Sequence, residues 1–69
     1  MGDGRLASRL KEIRLAAGLT QAELADLARV SRKTINTVEN GVFVPSTTLA
    51  LTLARALGTT VEGLFYLTD

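Results

Sequence analysis

The sequence predicts a single all-α domain of five helices, the second and third joined by a tight turn. Three observations predict it. Apolar residues recur at helical spacing from Leu6 to Ala17 and again from Leu49 to Leu57. Hydroxyl residues suited to capping a helix N-terminus stand at Thr20, Ser31, Ser46 and Thr60. Residues suited to ending a helix stand at Gly18, Asn40-Gly41 and Gly58.

The first helix is expected from about Arg5 to Ala17. Leu6, Leu10, Ile13 and Ala17 form one apolar stripe, and Gly18 follows where a positive φ is needed. The second helix starts at Thr20, which forms a T-x-x-E capping box with Glu23. Ala22, Leu24, Ala25, Leu27 and Ala28 make it short and mostly buried, with Ala25 placed for a close helix crossing. The turn Ala28-Arg29-Val30 leads to Ser31 and a third helix from Arg32 to about Asn40. Ile35 and Val38, at i and i+3, bury one face of that helix. Val42-Phe43-Val44-Pro45 is an extended connector, because the residue before proline avoids the helical region. Ser46 opens the fourth helix, whose apolar face is Leu49, Ala50, Leu53, Ala54 and Leu57. Thr60 opens a last short helix through Glu62, Leu64 and Phe65. The apolar run Phe65-Tyr66-Leu67 cannot all face one small core, and exposed apolar patches mark interfaces.

Composition bounds the function. One domain over residues 1–69, with its core over about 5–66, is all that this length accommodates. A chain of this size buries only about 60% of its unfolded surface, so a second copy would add useful burial. With no Cys and no His, disulfides, thiolate metal sites and the commonest catalytic groups are excluded. No Gly-rich phosphate loop and no paired carboxylates beside a nucleophile are present, so an enzyme is not expected, nor a cofactor or metal. No apolar run approaches a membrane span, and Met1-Gly2-Asp3-Gly4 opens no signal peptide. These features point to a soluble cytoplasmic protein. The net charge is only +1, but seven of the eight basic residues lie in the first 41 positions, with Arg29, Arg32 and Lys33 clustered.

That cluster opens the third helix, and the polar face behind it suits the DNA major groove. Base edges there present distinct donors and acceptors to an inserted helix. Arg32 and Lys33 suit guanine O6 and N7, Asn36 suits adenine N6 and N7, and Thr37 suits either kind of edge or a thymine methyl. Singly, each residue fits a solvent-facing stripe equally well; as a set after a tight helix turn they fit the groove. Gln21, at the start of the second helix, is placed for a phosphate, since helix N-termini favour anions.

These residues resemble the Cro/CI-type helix-turn-helix regulators, the XRE family, in their shortest members. The carriers are Leu10-Lys11-Glu12-Ile13-Arg14, Gly18 through Ala25, Val30 through Ile35, Glu39-Asn40-Gly41, Pro45-Ser46 and Ala56-Leu57-Gly58 through Phe65. The resemblance covers about residues 6–66 and implies a lambda-repressor-like five-helix bundle with the motif in helices two and three. It implies base contacts from Arg32, Lys33, Asn36 and Thr37, and places Gln21, Ser31 and Thr34 nearer the phosphates. It also implies an ion pair between Arg14 and Glu39 that ties the reading helix to the bundle. Arg29 stands where the family often has Gly; a left-handed non-Gly residue costs roughly 1–2 kcal/mol, against which Arg29 gains a phosphate contact. Thr47 and Thr59 replace aliphatic residues but keep a valine's shape, and Gly63 replaces an acidic residue and weakens the last helix.

Together these readings give a sequence-specific double-stranded DNA-binding regulator. Its expected form is a homodimer on a palindromic operator, with Leu64, Phe65, Tyr66 and Leu67 as the dimer contact. It is expected to act as a repressor, since occluding a promoter requires only binding. No stretch is left over for sensing a small-molecule effector. The alternative is an antitoxin-like interaction module whose C-terminal patch binds a partner protein and whose DNA binding is secondary.

Overall fold

The protein is described by a computed structural model covering residues 6–68. Its elements are β1 (Leu6–Ser8), α1 (Leu10–Ala16), α2 (Gln21–Ala28), α3 (Arg32–Glu39), α4 (Thr47–Leu57), α5 (Val61–Leu64) and β2 (Phe65–Leu67). Helices α2 to α5 stand where the capping residues place them. Thr20, Ser31, Ser46 and Thr60 each accept the backbone N–H three residues on. The Thr20–Glu23 box is reciprocal: Glu23 N–H donates to Thr20 Oγ1 at 3.0 Å and Thr20 N–H to Glu23 Oε1 at 2.8 Å.

The chain's two ends differ from the sequence expectation. The first helix starts at Leu10, and the expected start, Arg5, lies outside the described residues. Leu6–Ser8 is instead a strand, antiparallel to β2, with Leu6 opposite Leu67, Ala7 opposite Tyr66 and Ser8 opposite Phe65. Two bonds stop the helix from extending backwards. Leu10 N–H donates to Ser8 Oγ at 3.1 Å, and Arg9 N–H reaches across to Leu64 O at 2.7 Å. Leu6 still packs on the core, so burial alone did not distinguish a strand from another helical turn. Ala17, the last member of the expected stripe, is exposed.

The core is built by Leu10, Leu24, Ile35, Val38, Leu53 and Leu64, all fully buried. Small residues, Ala25 and Ala28 on α2 and Ala50 and Ala54 on α4, are buried with them and let the helices approach closely. Helix α2 is less buried than expected: Leu24, Ala25 and Ala28 face inward, whereas Ala22 and Leu27 face solvent. Among the described residues no helix is long and apolar enough to cross a membrane.

Helices α1 to α4 terminate alike. Residues Gly18, Arg29, Gly41 and Gly58 adopt positive φ. In each case that residue and the next donate back to two carbonyls of the last turn, as in Gly41 to Val38 at 3.2 Å and Val42 to Thr37 at 3.0 Å. Arg29 is the one non-glycine in this set, at φ 60°. Its left-handed backbone costs roughly 1–2 kcal/mol, whereas glycine adds about 0.5–1 kcal/mol of chain entropy to be lost on folding. Arg29→Gly is therefore expected to stabilise the domain by about 0.5–1 kcal/mol. A urea melt checks it, and a lower midpoint would mean that the Arg29 side chain carries a stabilising contact.

At the C-terminus, α5 is a single turn. Gly63 donates its N–H to Thr60 Oγ1 at 3.0 Å, and a Cβ at this position would lie 2.5 Å from Thr59 Oγ1. Glycine therefore fits its neighbour Thr59 here, rather than simply weakening the helix. Thr47 is exposed, so its departure from an aliphatic residue lies outside the core.

Candidate nucleic-acid interface

The candidate surface is the outer face of α3 together with the start of α2. Ser31 fixes the entry to α3: Thr34 N–H donates to Ser31 Oγ at 3.1 Å, and the two hydroxyls lie 2.9 Å apart. Ile35 and Val38 anchor the inner face. Helical geometry then sends Arg32, Lys33 and Asn36 outward, and all three are exposed. Among the described residues no carboxylate pairs with Arg32 or Lys33. Thr37 is half-buried, and its hydroxyl donates to Thr34 O at 2.9 Å. That bond leaves Thr37 the two lone pairs of its hydroxyl and a methyl to present, with no free donor. Gln21, Arg32, Lys33 and Asn36 line one open cleft of about 340 Å³ between the two helices.

Behind the cleft lies a chain of polar contacts. Arg14 and Glu39 form an ion pair, with Nε to Oε2 at 2.6 Å and Nη2 to Oε1 at 3.3 Å. Their side chains are only 7% and 2% exposed, so this is an interior pair rather than a surface one. Arg14 Nη1 also donates to Leu19 O at 2.8 Å, closing the turn between α1 and α2. Gln21 Nε2 donates to Glu39 Oε1 at 3.1 Å and to Asn36 Oδ1 at 3.3 Å. Asn40 Nδ2 adds a longer contact to the same Asn36 oxygen at 3.4 Å. Among the described residues no buried side-chain nitrogen or oxygen lacks a partner.

Two site expectations change. Both Nε2 hydrogens of Gln21 are engaged inside the protein, so in this arrangement its side chain has no donor left for a phosphate. The C-terminal patch also divides. Leu64 and Phe65 belong to the protomer's own core, at 0% and 8% exposure, and only Tyr66 and Leu67 face outward. Leu64 is the buried residue of α5, and Phe65 opens a strand whose residues alternate between faces. Tyr66 lies opposite to Phe65, with the Arg9 guanidinium 4.1 Å from its ring centre. Leu67 follows Phe65's face by the same alternation but is exposed, paired with Leu6 at the end of the strand.

Other exposed apolar residues went unremarked in the sequence reading. Val42, Phe43 and Val44 are all exposed in the connector after α3. Leu51 is exposed and, with Leu6, Pro45, Val61 and Phe65, lines an apolar groove of about 230 Å³. A signal was available, since Leu51 falls outside the inward stripe of Leu49, Ala50, Leu53 and Ala54.

Comparison with known proteins places this geometry. The helix-turn-helix family model matches residues 10–64. An HTH-type transcriptional regulator of Methanothermobacter thermautotrophicus is 44% identical over 61 residues, covering 87% of this chain and 88% of the relative. Among solved structures, the restriction-modification controller protein C.AhdI from Aeromonas hydrophila is similar at 39% identity and a TM-score of 0.75, covering 78% of this chain and 82% of that one. The clp gene regulator ClgR from Corynebacterium glutamicum is similar at 33% identity and a TM-score of 0.74, but this chain's match spans 57% of that longer protein.

Proposed function

The chain belongs to the Cro/CI-type helix-turn-helix family of DNA-binding transcription regulators, and on that premise we propose that it is a sequence-specific repressor acting as a homodimer on a palindromic operator. The observation that carries this reading is the outward-facing set Arg32, Lys33 and Asn36 at the mouth of the cleft, in which Arg32 and Lys33 have no carboxylate partner among the described residues. Arg32 and Lys33 reach guanine edges, Asn36 and Thr37 make the remaining base contacts, and Ser31, Thr34 and Arg29 stand nearer the phosphates. Gln21 contributes its position at the α2 start, where free backbone N–H groups attract a phosphate.

The groove at Leu6, Leu51 and Phe65, with exposed Leu67 on the adjoining strand, is the apolar surface a second copy would cover. A symmetric pair presents its two reading helices about 34 Å apart, one turn of DNA. Repression follows from occlusion, and occupancy follows protein concentration. The protein acts in the cytoplasm, on the nucleoid, without catalysis.

Selection from random duplex DNA at stated salt tests the reading. The expected product is a two-fold symmetric motif with half-sites about one turn apart. Lys33→Ala is expected to cost about 1–3 kcal/mol, concentrated at one operator position. An equal loss on all sequences would demote Lys33 to a phosphate contact. Binding that is salt-sensitive but selects no motif would overturn specific recognition and favour a partner protein as the main target.

A further inference from the structure

We infer that Gln21 is a specificity-determining residue, acting through Asn36 to make it a hydrogen-bond donor only. The inference rests on the DNA-reading role of α3 and deepens it. Arg14, which lacks any acceptor, donates to both oxygens of the Glu39 carboxylate, at 2.6 and 3.3 Å. An ionised carboxylate only accepts, so the Gln21 amide must turn its NH2 toward Glu39 Oε1, at 3.1 Å. That NH2 has no lone pair to offer, so the Asn36 atom 3.3 Å from it must be the carbonyl oxygen. Asn40 Nδ2 approaches the same oxygen at 3.4 Å and agrees with this assignment. Charge at Arg14 thus sets, through two side chains, which way a base-reading amide faces.

The consequence is chemical. Asn36 is exposed and presents Nδ2 with its two hydrogens, while Oδ1 already accepts from Gln21 and Asn40. Bidentate adenine reading needs both amide atoms, one donating to N7 and one accepting from N6. With Oδ1 engaged by Gln21 and Asn40, the matching base edge is one that accepts: guanine through O6 and N7, or thymine through O4. Residue type alone assigns Asn36 to adenine; the relay reassigns it.

The test compares selected duplex sites for the wild type, Asn36→Ala and Gln21→Met. Asn36→Ala identifies the base pair that Asn36 reads, as the position where preference is lost. In the wild type that position is expected to carry guanine or thymine on the contacted strand. Gln21→Met keeps the length and helix propensity of residue 21 but removes Nε2, so Asn36 can turn. Adenine is then expected to gain about tenfold or more at that one position, with the ranking elsewhere unchanged. Adenine at that position in the wild type would overturn the inference without recourse to any variant of Gln21. So would an unchanged profile in a folded Gln21→Met. Failure of the wild type to select any motif would instead sink the DNA-reading role itself, so the two failures are distinguishable.

Discussion

Arg14→Ala is expected to cost about 3–5 kcal/mol of folding stability, the loss typical of an interior ion pair deprived of one partner. Glu39, with its side chain 2% exposed, would be left charged and without its cation. Leu19 O would lose its donor as well, and with it the fixed turn between α1 and α2. A chain of 69 residues has about 3–10 kcal/mol of stability altogether, at the usual stability per residue. The variant should therefore be largely unfolded at ordinary temperature, as read by circular dichroism and urea titration. An exposed pair would cost only about 0–1 kcal/mol, and a loss that small would show that Glu39 relaxes into water. The double variant Arg14→Met with Glu39→Leu separates charge from packing. It leaves no uncompensated ion, and should recover most of the loss, because apolar side chains of similar size replace interior pairs at little cost. It also dismantles the relay through Gln21, so a folded double variant should share the altered base preference expected of Gln21→Met.

What the sequence made legible was local. Capping chemistry depends on one hydroxyl and the N–H three residues on, so Thr20, Ser31, Ser46 and Thr60 mark helix starts without any tertiary information. Arg29 in the left-handed region was legible through the family resemblance instead, since it stands where the motif turn often has Gly. The start of α1 was not legible. The Leu6–Leu10 spacing suits another turn of helix, and the partner strand that claims residues 6–8 lies at the opposite end of the chain. The division between buried Phe65 and exposed Tyr66 has the same origin, since strand alternation appears only once that pairing exists. The Gln21–Asn36 contact joins residues fifteen positions apart across the motif. Residue types supply the capacity for that bond, but which amide face each side chain shows is settled by Glu39 and Arg14 behind them.

Ile35→Ala separates holding the reading helix from reading with it. Ile35 is fully buried on the inner face of α3, beside Val38 in the core. Its truncation should cost about 2–5 kcal/mol, from lost burial and the cavity left behind, and a domain this small loses roughly 4–8 °C of Tm per kcal/mol. None of the outward side chains changes. The base preferences of the fraction that remains folded should therefore match the wild type, while apparent affinity falls with the folded population. Operator DNA should reverse the deficit by mass action, adding about 4 kcal/mol at a thousandfold excess over Kd. Lys33→Ala should do the opposite: melt like the wild type without DNA, and gain less from the operator because its Kd is weaker. A shift in preference at a single base pair in Ile35→Ala would mean that the core sets the docking angle of α3 as well as its stability. Core and groove would then be one determinant of specificity, and the inner face of the helix would have to be counted among the residues that read DNA.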